Sequence, residues 1–160
     1  MRICQYLPIV IFYTDQAHLS FSIKRVVLVF MKKILIIDDN RDVRENTAEL
    51  LELNHFEVFT ADTGHRGYEA AKKHLPDIIM CDIIISGINE NDFLSRSMAH
   101  QLIKNIPFIF FSNGSTDTSL QKYFPNSNQK YLKKPFAEED LMQAVNNILH
   151  NYSDNLDIQR

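Results

Sequence analysis

Asp77-Ile-Ile-Met-Cys-Asp82 decides the fold: four apolar residues in unbroken succession, closed by a carboxylate. An apolar run of this length with no alternating polar face suits a strand covered on both sides. Three more runs share the design. Lys33-Ile-Leu-Ile-Ile-Asp38-Asp39 ends in two acids, Pro107-Phe-Ile-Phe-Phe-Ser112 ends in a hydroxyl, and Tyr131-Leu-Lys-Lys134-Pro135 ends in a cation. A helix-like segment follows each of them. If the strands are parallel, these polar ends gather on one edge of the sheet.

The segments between the runs supply the helices. Strand 33–38 precedes a helix near 41–53 whose Val43, Thr47, Leu50 and Leu51 share one face, with Asn40 as its cap. Strand 56–61 precedes a helix near 64–74, capped by Thr63 and followed by Pro76. Strand 77–82 leads through the loop 83–90 into a helix expected to turn Leu94, Met98 and Leu102 inward. Strand 107–112 leads to a short helix stopped by Pro125, and a last strand near 130–133 precedes a helix near 137–149 with Leu141, Val145, Ile148 and Leu149 on one face. Apolar strands alternating with amphipathic helices predict an α/β, doubly wound parallel sheet. Such sheets bind ligands beyond the carboxyl ends of their strands.

Composition narrows the function. The chain has 160 residues and a formal net charge of −3; residues 1–30 carry +2, which leaves −5 on residues 31–160. With no basic stripe to neutralise phosphates, nucleic-acid binding is disfavoured. Cys4 and Cys81 form no disulfide framework, and the scattered histidines show no metal-ligand spacing, so a reducing cytoplasm is the expected setting. Leu7–Tyr13 and Val26–Phe30 are apolar but too short to span a bilayer, so no membrane insertion is expected. Residues 1–30 are taken as a dispensable extension or mis-called start, the alternative being an extra strand that lengthens or covers the sheet. Residues 31–150 form the expected domain. The stretch 151–160 is a polar tail too short to act as an effector.

Each strand-end residue has a structural explanation by itself: a turn acid, a capping hydroxyl, a surface cation. Together they ask for more, because a purely structural sheet has no need of polar residues at the same end of four buried runs. Three converging carboxylates repel one another, at about 4 kcal/mol per unit-charge pair 4 Å apart for an effective dielectric near 20. A cation must sit among them. Hard oxygen ligands favour Mg²⁺, beside which Asp82 could act as a nucleophile toward a phosphoryl group. Lys134 and Ser112 would then engage the phosphoryl oxygens.

With Ile36-Ile37-Asp38-Asp39-Asn40, Asp82 followed by Gly87, Ser112, and Lys134-Pro135-Phe136, residues 32 to about 150 resemble the receiver domain of two-component response regulators. The resemblance implies a flavodoxin-like, five-stranded parallel sheet in order 2-1-3-4-5. It also implies that Asp82 is the phosphoacceptor and that Asp38 and Asp39 bind Mg²⁺ together with Asp82 and the backbone carbonyl of Ile84. Lys134 would contact the phosphoryl group and precede a cis bond to Pro135. Ser112 would be the switch hydroxyl, and Tyr131 the aromatic that turns inward on activation.

The expected function follows: a phosphorelay switch, not an enzyme on an external substrate. It would take a phosphoryl group from a sensor histidine kinase or histidine phosphotransfer protein and signal to a downstream protein through altered contacts. The chain departs from the family pattern at Ile85-Ser86, Glu90, Asn113 and Pro125–Lys130, which touches the output face rather than the phosphorylation set. Two alternatives stand beside this reading. A degenerate receiver would serve only for docking. A metal-dependent phosphohydrolase would need an acid two residues beyond its nucleophile, where Ile84 stands.

Overall fold

The computed structural model describes residues 9–10, 28–29, 31–83, 93–112 and 129–157. Two compact units divide the chain, Met1–Met31 and Lys32–Arg160. The first holds strands β1 (Ile9–Val10) and β2 (Leu28–Val29), paired antiparallel with each other. These two form a sheet of their own.

The second unit is built on five parallel strands: β3 (Lys33–Ile37), β4 (Glu57–Ala61), β5 (Ile78–Asp82), β6 (Phe108–Ser112) and β7 (Gln129–Lys133). Their order is β4-β3-β5-β6-β7, which is 2-1-3-4-5 within this sheet, as expected. Four helices accompany them among the described residues: α1 (Arg41–Leu53), α2 (Gly64–His74), α3 (Phe93–Ala99) and α4 (Glu138–Asp157). Both predicted caps form. Asn40 Oδ1 accepts from the Val43 N–H at 3.2 Å and Thr63 Oγ1 from the Arg66 N–H at 3.3 Å, satisfying donors that the first helical turn leaves open.

Because side chains alternate across a strand, each buried run feeds two cores. Ile34, Ile36, Ile78, Met80, Ile109 and Phe111 pack with Leu51 of α1 and with Leu141, Val145 and Ile148 of α4. Leu35, Ile37, Ile79, Cys81, Phe108 and Phe110 pack on the opposite face with Ala71 of α2 and with Phe93 and Leu94 of α3. The central strands β5 and β6 are buried at every position, which explains why their sequences show no polar alternation.

Two expectations need correction. Leu102 does not turn inward: it is 64% exposed, whereas Ile103 is fully buried. Helix α3 ends at Ala99 and the chain continues in turns, so the helical spacing that would have aligned Leu102 with Leu94 and Met98 no longer applies. At the other end α4 continues through residues 151–157, where a tail was expected. Its polar composition carries no Gly or Pro to stop it. The loop 84–92, with Ile84, Ile85, Ser86, Gly87 and Glu90, lies outside the described residues, as does 113–128 with Asn113, Pro125 and the short helix expected before it.

Candidate functional site

The parallel register brings the strand ends together. Asp38 directly follows β3, Asp82 closes β5 and pairs with Phe111, and Ser112 closes β6 opposite Lys133. One residue further on, Lys134 reaches back over the edge. Its Nζ donates to Asp38 Oδ2 at 2.6 Å and to Asp82 Oδ2 at 2.5 Å. The Asp38 side chain is 0% exposed, that of Asp82 9% and that of Lys134 16%, so the three charges interact with little solvent between them. The cation demanded by the converging acids is therefore supplied by the chain itself.

The local backbone holds this geometry. The Asp38 N–H donates to the Ala61 carbonyl at 3.1 Å, extending the sheet by one residue past β3. Asp38 Oδ1 accepts from the Asn40 N–H at 3.0 Å, so both carboxylate oxygens are fixed from different sides. On the other flank the Lys134 N–H donates to the Ser112 carbonyl at 2.8 Å, and the Lys134–Pro135 peptide is cis, as the resemblance implies. Phe136 stacks on Phe111 with ring centroids 5.3 Å apart, and Lys134 Nζ lies 5.2 Å from the Phe111 ring centre.

The protonation states follow from this packing. Burial alone would push the Lys134 ammonium down, but hydrogen bonds to Asp38 and Asp82 and the charges of both acids outweigh it, and its pKa is raised. Cys81 behaves oppositely to a reactive thiol. Burial, reinforced by the charges of Asp82 and Asp38, holds its pKa well above the ordinary value.

The site residues named from sequence divide into those brought together and those set apart. Asp38, Asp82 and Lys134 form one hydrogen-bonded cluster, and Ser112 joins it through the backbone. Asp39 is exposed beside it. Tyr131 lies two residues before Lys133 on β7, half-buried, its ring centroid 5.8 Å from that of Phe110 and its hydroxyl donating to Gln129 Oε1 at 3.5 Å. Sequence reasoning missed Arg44, whose Nη1 donates to the Asp38 carbonyl at 2.7 Å and lies 3.5 Å from that of Asp39. Its only signal was a basic residue one turn into the helix that follows the acids.

Among the described residues no three His, Cys, Asp or Glu side chains form a group that could hold a metal. Asp38 and Asp82 nonetheless offer hard oxygens converging on one point, and with Lys134 included the cluster still carries net negative charge. That donor set fits Mg²⁺, which takes one or two carboxylates and keeps several waters.

A family model described as the response regulator receiver domain matches residues 34–146, and the chain belongs to that family. Among curated relatives it is similar to protein PilH of Pseudomonas aeruginosa, 27% identical over 119 residues that make up 74% of this chain and 98% of that protein. It is equally similar, at 27% over 116 residues, to the hybrid signal transduction histidine kinase D of Dictyostelium discoideum, covering 72% of this chain but 7% of the kinase. Among solved structures, a response regulator receiver domain protein from Clostridium thermocellum is 25% identical with a TM-score of 0.64, covering 77% of this chain and 98% of that one. The chemotaxis response regulator CheY4 of Vibrio cholerae, at 22% identity and a TM-score of 0.64 over 74% of this chain and 99% of its own, shares the fold. The chain is thus a receiver domain of two-component signalling, a family in which phosphorylation and Mg²⁺ are typical. Among the described residues no helix is long and apolar enough to cross a membrane.

Proposed function

We propose that Asp82 accepts a phosphoryl group from a phosphohistidine of a sensor histidine kinase or histidine phosphotransfer protein, in the cytoplasm and with Mg²⁺. The observation that carries this reading is Lys134 Nζ suspended between Asp38 and Asp82, at 2.6 and 2.5 Å. Asp82 stands at the carboxyl edge of the sheet, oriented by its hydrogen bond to Lys134. Its oxygen forms a bond to phosphorus as the histidine N–P bond breaks, and the imidazole nitrogen keeps the electron pair of the broken bond. Lys134 turns from the carboxylate to the phosphoryl oxygens, meeting charge with an ammonium already in place. Ser112 offers its hydroxyl to a second oxygen. Asp38 and Asp82, with exposed Asp39 beside them, would hold Mg²⁺, which would supply positive charge to offset that of the phosphoryl oxygens.

The protein then works as a switch rather than as an enzyme on an external substrate. The added group carries about two negative charges and new acceptors, which favour an arrangement in which Ser112 and Tyr131 move and a downstream protein binds. A purely docking receiver would have no use for an intact Asp38–Lys134–Asp82 cluster.

The test is incubation with Mg²⁺ and an acyl phosphate, followed by intact mass measurement. One phosphoryl group should be gained, none in Asp82→Asn and none in excess EDTA. Labelling that survives either change would overturn the assignment.

A further inference from the structure

Arg44 stands outside the phosphorylation set, yet among the described residues its side chain reaches the carbonyls of the acidic turn. Half-buried on the first turns of α1, it donates through Nη1 to the Asp38 carbonyl at 2.7 Å, with the Asp39 carbonyl 3.5 Å away. Asp38 is already past the end of β3, so its carbonyl has left the strand ladder. A half-buried carbonyl without a donor costs free energy, and rotating the Asp38–Asp39 peptide to find water would re-aim both acids.

The nearest competitor for this guanidinium is accounted for. Arg44 lines a polar cavity of about 220 Å³ with Thr60, Ala61, Asp62 and Arg66. Asp62 Oδ1 is buried there without a hydrogen-bond partner among the described residues. Arg66 Nη1 pairs with Asp62 Oδ2 at 2.7 Å, which offsets the pull of Asp62 on Arg44 and leaves the second arginine to the turn.

We propose that Arg44 is a positioning residue for the Mg²⁺ site: it fixes the Asp38–Asp39 peptide so that the Asp38 carboxylate is held toward Asp82. The proposal rests on the Mg²⁺-dependent reading above and adds to it a residue that touches neither metal nor phosphoryl group. Two effects of removing Arg44 oppose each other. Losing a positive charge near the acids favours Mg²⁺, whereas losing the fixed peptide disfavours it. The guanidinium points at carbonyls rather than carboxylates, so geometry should win, and supporting groups of this kind typically change metal affinity by about 10- to 100-fold.

The experiment is calorimetric titration of the full chain with MgCl₂, paired with the Mg²⁺ dependence of phosphorylation by an acyl phosphate. Arg44→Ala should raise the Mg²⁺ Kd by about tenfold yet reach a similar phosphorylation rate once Mg²⁺ saturates. Arg44→Lys, which can still donate to one carbonyl, should recover most of the loss. Arg41→Ala should change nothing, since Arg41 pairs with Glu45 on the exposed face of α1. Should Arg44→Ala fail to fold, Arg44→Gln and Arg44→Lys carry the comparison, with weaker Mg²⁺ binding expected for Gln. An unchanged or tighter Kd in the variants, beside normal binding by wild type, overturns the positioning role alone. So does an equal loss of rate at saturating Mg²⁺, the mark of a general structural defect. A wild-type protein that binds no Mg²⁺ overturns the functional reading with it.

Discussion

The Lys134 N–H donates to the Ser112 carbonyl at 2.8 Å, so a main-chain bond ties the two residues together without using the Ser112 hydroxyl. The two side chains are thereby separable. Ser112→Ala removes the hydroxyl without removing the bond that places Lys134.

Ser112→Ala should therefore still be phosphorylated, while the response at Tyr131 is lost. Ser112 and Tyr131 lie on the neighbouring strands β6 and β7, and Tyr131 is held by its packing on Phe110 and a long hydrogen bond to Gln129. A 3.5 Å bond is weak enough for the ring to leave it. NMR shifts of Tyr131 should respond to phosphorylation in wild type and stay still in Ser112→Ala. Equal responses would show that the coupling bypasses this hydroxyl.

Lys134→Ala should destabilise the fold and make it depend on Mg²⁺. Removing the ammonium leaves Asp38 and Asp82 facing each other with side-chain exposures of 0% and 9%. Breaking a buried ion pair in this way costs about 3–5 kcal/mol. A divalent cation can take over the neutralising role. Urea unfolding in EDTA and in excess MgCl₂ should then show a larger Mg²⁺ stabilisation for the variant than for wild type, and equal increments would mean that metal and lysine do not share the site.

The same pair fixes an alkaline limit. The folded pKa of Lys134 is raised above the ordinary value of 10.5 by its hydrogen bonds and the charges of Asp38 and Asp82, against the lowering effect of burial. A raised pKa means that the folded state holds the proton more tightly than the unfolded one. The stabilisation is fully present below the unfolded pKa and is lost as pH rises through the folded value. Wild type should lose stability above about pH 10.5 more steeply than Lys134→Met. Parallel pH profiles for the two proteins would contradict the linkage.

Much of this was legible in the sequence because the physics is local. The unbroken apolar runs of β3, β5 and β6 signal strands covered on both faces, and the strand-end residues then meet by topology alone. Leu102 was misplaced because periodicity cannot see where a helix stops: α3 gives way to turns after Ala99. Arg44 was invisible for a different reason. Its role depends on a long side chain reaching six residues back to a backbone carbonyl, and a main-chain acceptor leaves no trace in residue identity.

Gly67 connects the packing to the site, and its substitution is the sharpest test of that connection. It lies in α2 against β3, where an added Cβ would fall inside contact distance of Ile37 Cδ1 and 2.9 Å from Cγ1. Ile37 is fully buried and immediately precedes Asp38. Gly67→Ala gains about 1 kcal/mol of helix propensity, but overpacking a tight core costs about 1–3 kcal/mol. Ile37 is fully buried, so the cost should outweigh the gain and leave the variant less stable by up to about 2 kcal/mol. Ile37→Val removes the methyl group most in the way and alone costs about 0.5–1.5 kcal/mol. In the double variant the two costs should not add: a favourable coupling of about 1 kcal/mol is expected for residues in direct contact. Phosphorylation should fall in Gly67→Ala and recover in the pair, since relieving Ile37 also relieves Asp38. Urea unfolding of the four proteins measures the cycle. Additive costs, or a Gly67→Ala protein more stable than wild type, would show that α2 can shift away from the sheet without disturbing the acids.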